Sequence, residues 1–129
     1  MHEPTNIKYK IAIWNSNGLD AHKYELESFL KLMKIDIMLI SETHMTDKSY
    51  VKFQGFTTYD TKHPDNRAHG GSAIIIRNNI AHHKLNKFST NYIQATSVQL
   101  ENNNQPLTIT SVYSPPRHKI DKTMYKDFF

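Results

Sequence analysis

Two short blocks, Asn15-Ser16-Asn17-Gly18-Leu19 and Ser41-Glu42-Thr43-His44, carry amide and carboxylate oxygens of the kind a hard cation such as Mg²⁺ takes while keeping several of its waters. Each follows a run that reads as a strand, so each stands where a hydrolytic metal site is commonly built. Each also has an ordinary reading. Glu42 is equally a solvated acid at a strand end, with Ser41 as a cap, and Asn and Gly are the commonest turn formers. The case for chemistry therefore depends on whether the fold brings the two blocks together.

The intervening sequence says that it does. Ile7 to Trp14 alternates apolar Ile7, Tyr9, Ile11 and Ile13 with polar or small residues, the period of a strand, and Ile35 to Ile40 is nearly all apolar, as a buried strand would be. Between them, residues 20–34 put Leu26, Phe29, Leu30 and Met33 on one helical face, with Asp20 as N-cap and Lys31 and Lys34 in the last turn. Strand, helix, strand in that order is a βαβ unit whose strands run parallel and end on the same edge. Asn15 and Glu42 become neighbours at the carboxyl edge of the sheet, where α/β folds place ligands.

The remaining chain reads as mostly β. Residues 51–62 form a loop and a short strand, Arg67 to Gly71 turn into a buried strand over Ser72 to Arg77, and Asn78-Asn79 serve as a two-residue turn with positive φ into a return strand near Ile80 to Leu85. Tyr92 to Leu100 and Leu107 to Tyr113 form a second hairpin across a polar linker. Asp121 caps a last helix carrying Met124, Tyr125, Phe128 and Phe129, an apolar face that wants a cover, so the native polypeptide is expected to continue past Phe129. Tyr113 is a half-buried strand aromatic, or its phenol donates a hydrogen bond to a phosphate oxygen at the same rim.

Composition narrows the class. A chain of 129 residues with 38% hydrophobic and 11% aromatic residues is one folded domain or part of one, although a mean hydropathy of −0.62 is on the polar side. The lack of cysteine excludes disulfides and thiolate metal sites. No signal-peptide core or membrane-length apolar run occurs, which fits a soluble, intracellular protein of the nucleus or cytoplasm. A net charge of +4 leans toward a polyanionic partner. The basic stretches Lys62 to His69, His82 to Lys87 and Arg117 to Lys122 are solvated surface or, as a set, track a phosphate backbone. Zinc is disfavoured, because His82 and His83 are adjacent and no two of the eight histidines have the helical i, i+4 spacing.

Taken together, Asn15-x-Asn17-Gly18-Leu19, Ser41-Glu42-Thr43-His44, Gly70-Gly71-Ser72-Ala73-Ile74 and Val112-Tyr113-Ser114-Pro115 closely resemble, in order and spacing, the first half of the endonuclease/exonuclease/phosphatase family. Within it they resemble the endonuclease domain of jockey-like non-LTR retrotransposons. The resemblance covers nearly the whole chain and implies a four-layer α/β sandwich over residues 5–129, truncated after its first half. It also implies a Mg²⁺-dependent (or Mn²⁺-dependent) endonuclease that nicks target DNA to leave a 3′ hydroxyl, and a reverse transcriptase fused in the full-length protein. By the same resemblance Glu42 is the main metal ligand, Asn15 its polar partner, Asn17 a further member of that shell, and Tyr113 the residue that steadies the scissile phosphate. The family's Gly-Asp-x-Asn and Ser-Asp-His blocks, which position the water and handle its proton, would lie beyond Phe129, so this chain alone is expected to be inactive or nearly so. The alternatives are a phosphoesterase of the same fold acting on a small phosphate ester, a non-catalytic remnant that still binds nucleic acid, and, last, a flavodoxin-like binding module.

Overall fold

The computed structural model describes residues 8–101 and 105–115, and the helix expected from Asp121 onward lies outside them. The first sheet has the order β1(Ile11–Asn15), β2(Ile37–Ser41), β4(Ser72–Arg77), β3(Phe56–Thr61). β1 and β2 pair in parallel, with Asn15 opposite Ser41, as the βαβ pattern requires, whereas β4 runs antiparallel to both of its neighbours. In the second sheet β7(Gln94–Leu100) is flanked by β8(Leu107–Tyr113) on one side and by the short β5(His82–Lys84) and β6(Phe88–Ser89) on the other. The β7–β8 hairpin is the one read from the sequence, joined from Leu100 to Leu107.

Alternation along β2 and β4 sorts their side chains between two cores. Met38, Ile40, Ala73 and Ile75 face α1(Lys23–Leu32) and pack with Leu26 and Leu30, while Ile37, Ile74 and Ile76 face the second sheet and pack with Val98, Leu100 and Ile109. Three layers, helix on sheet on sheet, are thus present among the described residues. Strands buried on both faces account for the unbroken apolar runs at Ile37 to Ile40 and Ala73 to Ile76.

Four local expectations are corrected. Asp20 does not cap the helix: it opens a 3-10 turn over Asp20–His22, and the N-cap position falls to His22, which makes no side-chain capping bond. The helix face is only half covered, because Leu26 and Leu30 are buried but Phe29 and Met33 stay partly exposed beside edge strand β1. β1 starts at Ile11, with residues 8–10 outside the strand and Ile7 outside the described residues, and its inward face is Ala12 and Trp14, leaving Ile13 82% exposed. Finally, Asn78-Asn79 make no hairpin. Neither residue has positive φ, the Ile80 N–H closes an ordinary turn onto the Arg77 carbonyl (3.1 Å), and the chain leaves the first sheet so that β5 pairs with β7. Burial of Ile80 against the intersheet core decides the path over the local turn preference.

The helix ends in a Schellman turn: the Ile35 N–H reaches the Leu30 carbonyl (3.0 Å) and the Lys34 N–H the Lys31 carbonyl (3.3 Å), with Lys34 at φ 52° in the left-handed position usually held by glycine. A lysine Cβ there is strained. Lys34→Gly is expected to raise the unfolding free energy by about 1 kcal/mol, less the extra freedom glycine gives the unfolded chain. A urea midpoint shifted upward at unchanged slope would show it, and no shift or a downward one would rule it out.

Candidate active site

The parallel pairing of β1 and β2 does not stop where the strands stop. Beyond Asn15, the N–H groups of Ser16, Gly18 and Leu19 bond to the carbonyls of Ser41, Glu42 and Thr43, each at 2.9 Å, and the buried Ser16 hydroxyl adds a 2.9 Å bond to the Glu42 carbonyl. From the other side the Thr43 and His44 N–H groups bond to the carbonyls of Gly71 (3.3 Å) and Gly70 (2.9 Å). The segment carrying Glu42 is therefore laced between two loops. To fit, Glu42 and His44 adopt φ of 54° and 56° and Asn17 45°, left-handed values that non-glycine residues rarely take. Such strain persists where the surroundings over-determine it, and it gathers at functional sites.

The second sheet supplies the opposite wall. The Ser111 hydroxyl donates to the Ile40 carbonyl (3.0 Å), fixing β8 over β2. Tyr113 lies two residues beyond Ser111 and Glu42 two beyond Ile40, so both reach the same edge, where the Tyr113 phenol comes close enough to the Glu42 carboxylate to feel its charge. Beneath them runs a buried chain of hydroxyls: Ser72 to Thr96 (2.9 Å), Thr96 to Thr61 (2.9 Å), and Thr61 to the Ala95 carbonyl (2.9 Å). Gln94, fully buried and opposite Tyr113 on β7, accepts from the Gly71 N–H (3.0 Å) and donates to the Thr90 carbonyl (2.6 Å). Gly70 is required here, because a Cβ on it would meet the Gln94 amide oxygen at 2.6 Å and Tyr113 at 3.3 Å.

Of the residues singled out from sequence, Glu42 and Tyr113 are brought to the same edge, and Asn15 stands on the adjacent strand opposite Ser41, its amide oxygen taking a long 3.3 Å bond from the Asn17 N–H. Asn17 is exposed and forms the left-handed turn with Gly18, so its turn role is realised in full. A carboxylate and an amide with no nitrogen or sulfur donor between them suit a hard cation such as Mg²⁺. Burial, then the negative charge of Glu42 and the bond to it, push the Tyr113 phenol above its ordinary pKa, so it is a proton donor at neutral pH.

Helix and strand spacing gave no reason to join His63, Asp65 and His69, which the loop between β3 and β4 nonetheless collects beside Gly70. His63 Nδ1 is 3.0 Å from one Asp65 oxygen and His69 Nε2 is 2.7 Å from the other, with the two rings stacked at 4.1 Å. Desolvation raises the Asp65 pKa, but the Arg67 N–H and the two histidines outweigh it and hold the carboxyl below its usual range. His82, by contrast, is fully used. Its Nδ1 contacts the Ile80 carbonyl (2.6 Å) and its Nε2 the Tyr59 hydroxyl (2.9 Å).

Residues 12–127 match the model of the endonuclease/exonuclease/phosphatase family. The chain belongs to this family. It is 36% identical over 129 residues to the RNA-directed DNA polymerase from mobile element jockey of Drosophila melanogaster and 33% identical to its Drosophila funebris counterpart, in each case over the whole of this chain but only 14% of the relative. Its fold matches the endonuclease domain of TRAS1, a telomere-specific non-LTR retrotransposon (TM-score 0.69, 21% identity, 93% of this chain and 52% of that one). It also matches the AP endonuclease LMAP from Leishmania major (TM-score 0.66, 16% identity, 81% and 40%). The family fold expected from the sequence is thus the fold found.

The Glu42–Tyr113 contact has a titration signature. Glu42→Gln removes the charge but not the burial, so the Tyr113 pKa is expected to fall while staying above its ordinary value. Phenolate absorbance against pH, with Tyr113→Phe identifying the transition, measures it. In the native protein the stability tied to this phenol is present below the unfolded tyrosine pKa and lost as pH rises through the folded one. A Tyr113 titration unchanged by Glu42→Gln would refute the contact.

Proposed function

We propose that this chain is the first half of a Mg²⁺-dependent endonuclease domain that nicks DNA for a retrotransposon. The observation that carries the reading is the convergence of Glu42, Asn15 and Tyr113 on one sheet edge, set by the pairing of Asn15 with Ser41 and the Ser111 bond to the Ile40 carbonyl. Glu42 and Asn15 would ligate the ion, with Asn17 at the outer side of the same shell. The Tyr113 phenol, a donor at neutral pH, would donate to a non-bridging phosphate oxygen and so orient the phosphodiester for in-line attack by water. A bound Mg²⁺ supplies polarisation of the phosphoryl oxygen and charge balance at the leaving oxygen. The product is a nick ending in a 3′ hydroxyl, a primer for the reverse transcriptase expected in the full-length protein. The relatives support that arrangement, since this chain corresponds to 14% of proteins named as RNA-directed DNA polymerases.

The family's proton-handling blocks, by the resemblance, are absent from this sequence, and among the described residues β1 is an edge strand with Ile13 82% exposed. The chain alone is accordingly inactive or nearly so.

The test is Mg²⁺-dependent relaxation of supercoiled plasmid by this chain alone and by this chain joined to the second half of a jockey-type endonuclease domain. The joined protein is expected to nick, to lose at least about 10²-fold in rate on Glu42→Ala, and to outpace the lone chain by roughly 10²- to 10⁴-fold. Nicking unaffected by Glu42→Ala would sink the assignment. Salt-dependent DNA binding without cleavage by the joined protein would instead favour a non-catalytic remnant.

A further inference from the structure

We propose that His63, Asp65 and His69 form a second metal site, distinct from the Glu42 edge, that takes a borderline divalent transition ion of the Zn²⁺ type. Three donor atoms, His63 Nδ1, His69 Nε2 and an Asp65 oxygen, lie within 4.8 Å of one another on a single short loop. His63 is only 8% exposed and its ring is fixed by stacking on His69. An ion about 2 Å from each donor sets them roughly 3–3.5 Å apart, so small side-chain rotations close the cluster around it and leave a fourth position for water. The contacts already present, 3.0 and 2.7 Å to the two Asp65 oxygens, sit at or just under the short end of that spacing.

Without an ion, the Asp65 N–H donates to His63 Nδ1 (3.2 Å) and His69 Nε2 pairs with an Asp65 carboxylate oxygen (2.7 Å). The Nδ1 lone pair that accepts the N–H is the one an ion would take, so binding exchanges that long hydrogen bond for a metal bond beside an Asp65 oxygen already 3.0 Å away. The loop is otherwise tied in place: the Asn66 N–H bonds to the His63 carbonyl (3.0 Å), the Arg67 N–H to Asp65 (2.9 Å), and the Asn66 side chain accepts from the Asp47 N–H (2.8 Å).

Two imidazoles and one carboxylate favour Zn²⁺, Co²⁺ or Ni²⁺ over Mg²⁺, which prefers an all-oxygen octahedron. The ion's role follows from its position. His69 leads directly into Gly70 and Gly71, whose carbonyls receive the His44 and Thr43 N–H groups, and His63 packs against the same Gly70 that lies under Tyr113. An ion joining His63 to His69 would staple the loop that walls the Glu42 segment. This is a structural metal beside the site, not a participant in its chemistry.

The test is Co²⁺ titration of the untagged chain, followed by visible absorption and thermal unfolding. Expected are one ion per chain, a tetrahedral d–d spectrum bleached by Zn²⁺ but not by millimolar Mg²⁺, and a higher unfolding midpoint. His69→Ala and Asp65→Asn should each weaken Co²⁺ binding by at least the roughly 10- to 100-fold that loss of an outer-shell partner costs. Glu42→Gln and His83→Ala should leave it unchanged. Absence of stoichiometric Co²⁺ binding by the native chain, its retention in both loop variants, or its displacement by Mg²⁺ would overturn the proposal. Because the native chain's spectrum is itself decisive, a variant that fails to fold does not shelter it.

Discussion

The rest of the structure depends on one constraint, the parallel register of β1 and β2 carried past the ends of both strands. Asn15 opposes Ser41, and the next N–H groups along the first segment continue to bond with the next carbonyls along the second. A shift of one residue would exchange the two faces of β2, turning Met38 and Ile40 away from the helix and Ile37 toward it, so burial on both faces locks the register. The loops inherit that precision. Glu42 is placed by backbone bonds whose partners lie on Ser16, Gly18 and Gly70–Gly71, not by the preferences of its own sequence.

The two sheets then meet differently at their two ends. Away from the site the contact is apolar, Ile37, Ile74 and Ile76 against Val98, Leu100 and Ile109, and each such side chain contributes about 1.5–3 kcal/mol on burial. Near the site it is a line of hydroxyls, Ser72, Thr96, Thr61 and Ser111, whose bonds are worth about 1 kcal/mol apiece net. Stability therefore resides mainly at the far end, and the polar end contributes alignment. A hydroxyl finds its acceptor at one register only, whereas methyl groups tolerate sliding. Ser111 on the Ile40 carbonyl is what aligns the two packed sheets so that Glu42 and Tyr113 come to the same edge.

How much of this was legible in the sequence follows from which forces act locally. The βαβ unit, the meeting of Asn15 with the Glu42 block and the β7–β8 hairpin were readable, because apolar periodicity reports burial directly and the handedness of crossovers does the rest. The Asn78-Asn79 hairpin was misread because a turn signal is weak beside the burial of Ile80 between the sheets. The helix start differs from the expectation because Leu19, fully buried and bonded to the Thr43 carbonyl, sets where the chain turns, so that Asp20 falls inside the 3-10 turn and not at the N-cap. The stacking of His63 on His69 has no periodic signature at all. Six residues apart, they meet only because the chain folds back on itself within one irregular loop.

Left-handed backbone at Asn17, Glu42 and His44 marks the edge where these constraints meet. Each such residue costs roughly 1–2 kcal/mol against a domain stability of about 5–15 kcal/mol, and glycine would remove the cost at every one of them. At Gly18, Gly70 and Gly71 the chain does use glycine, with φ of 103°, 60° and 89°, and at Gly70 a side chain would also strike Gln94. Glycine is thus available to this edge and is used where only backbone shape matters. At position 42 shape is not sufficient, because glycine cannot place a carboxylate against the Tyr113 phenol. The strain at Glu42 is tolerated because loops on both sides hold its backbone, and what that arrangement retains is an acid at the rim of the sheet.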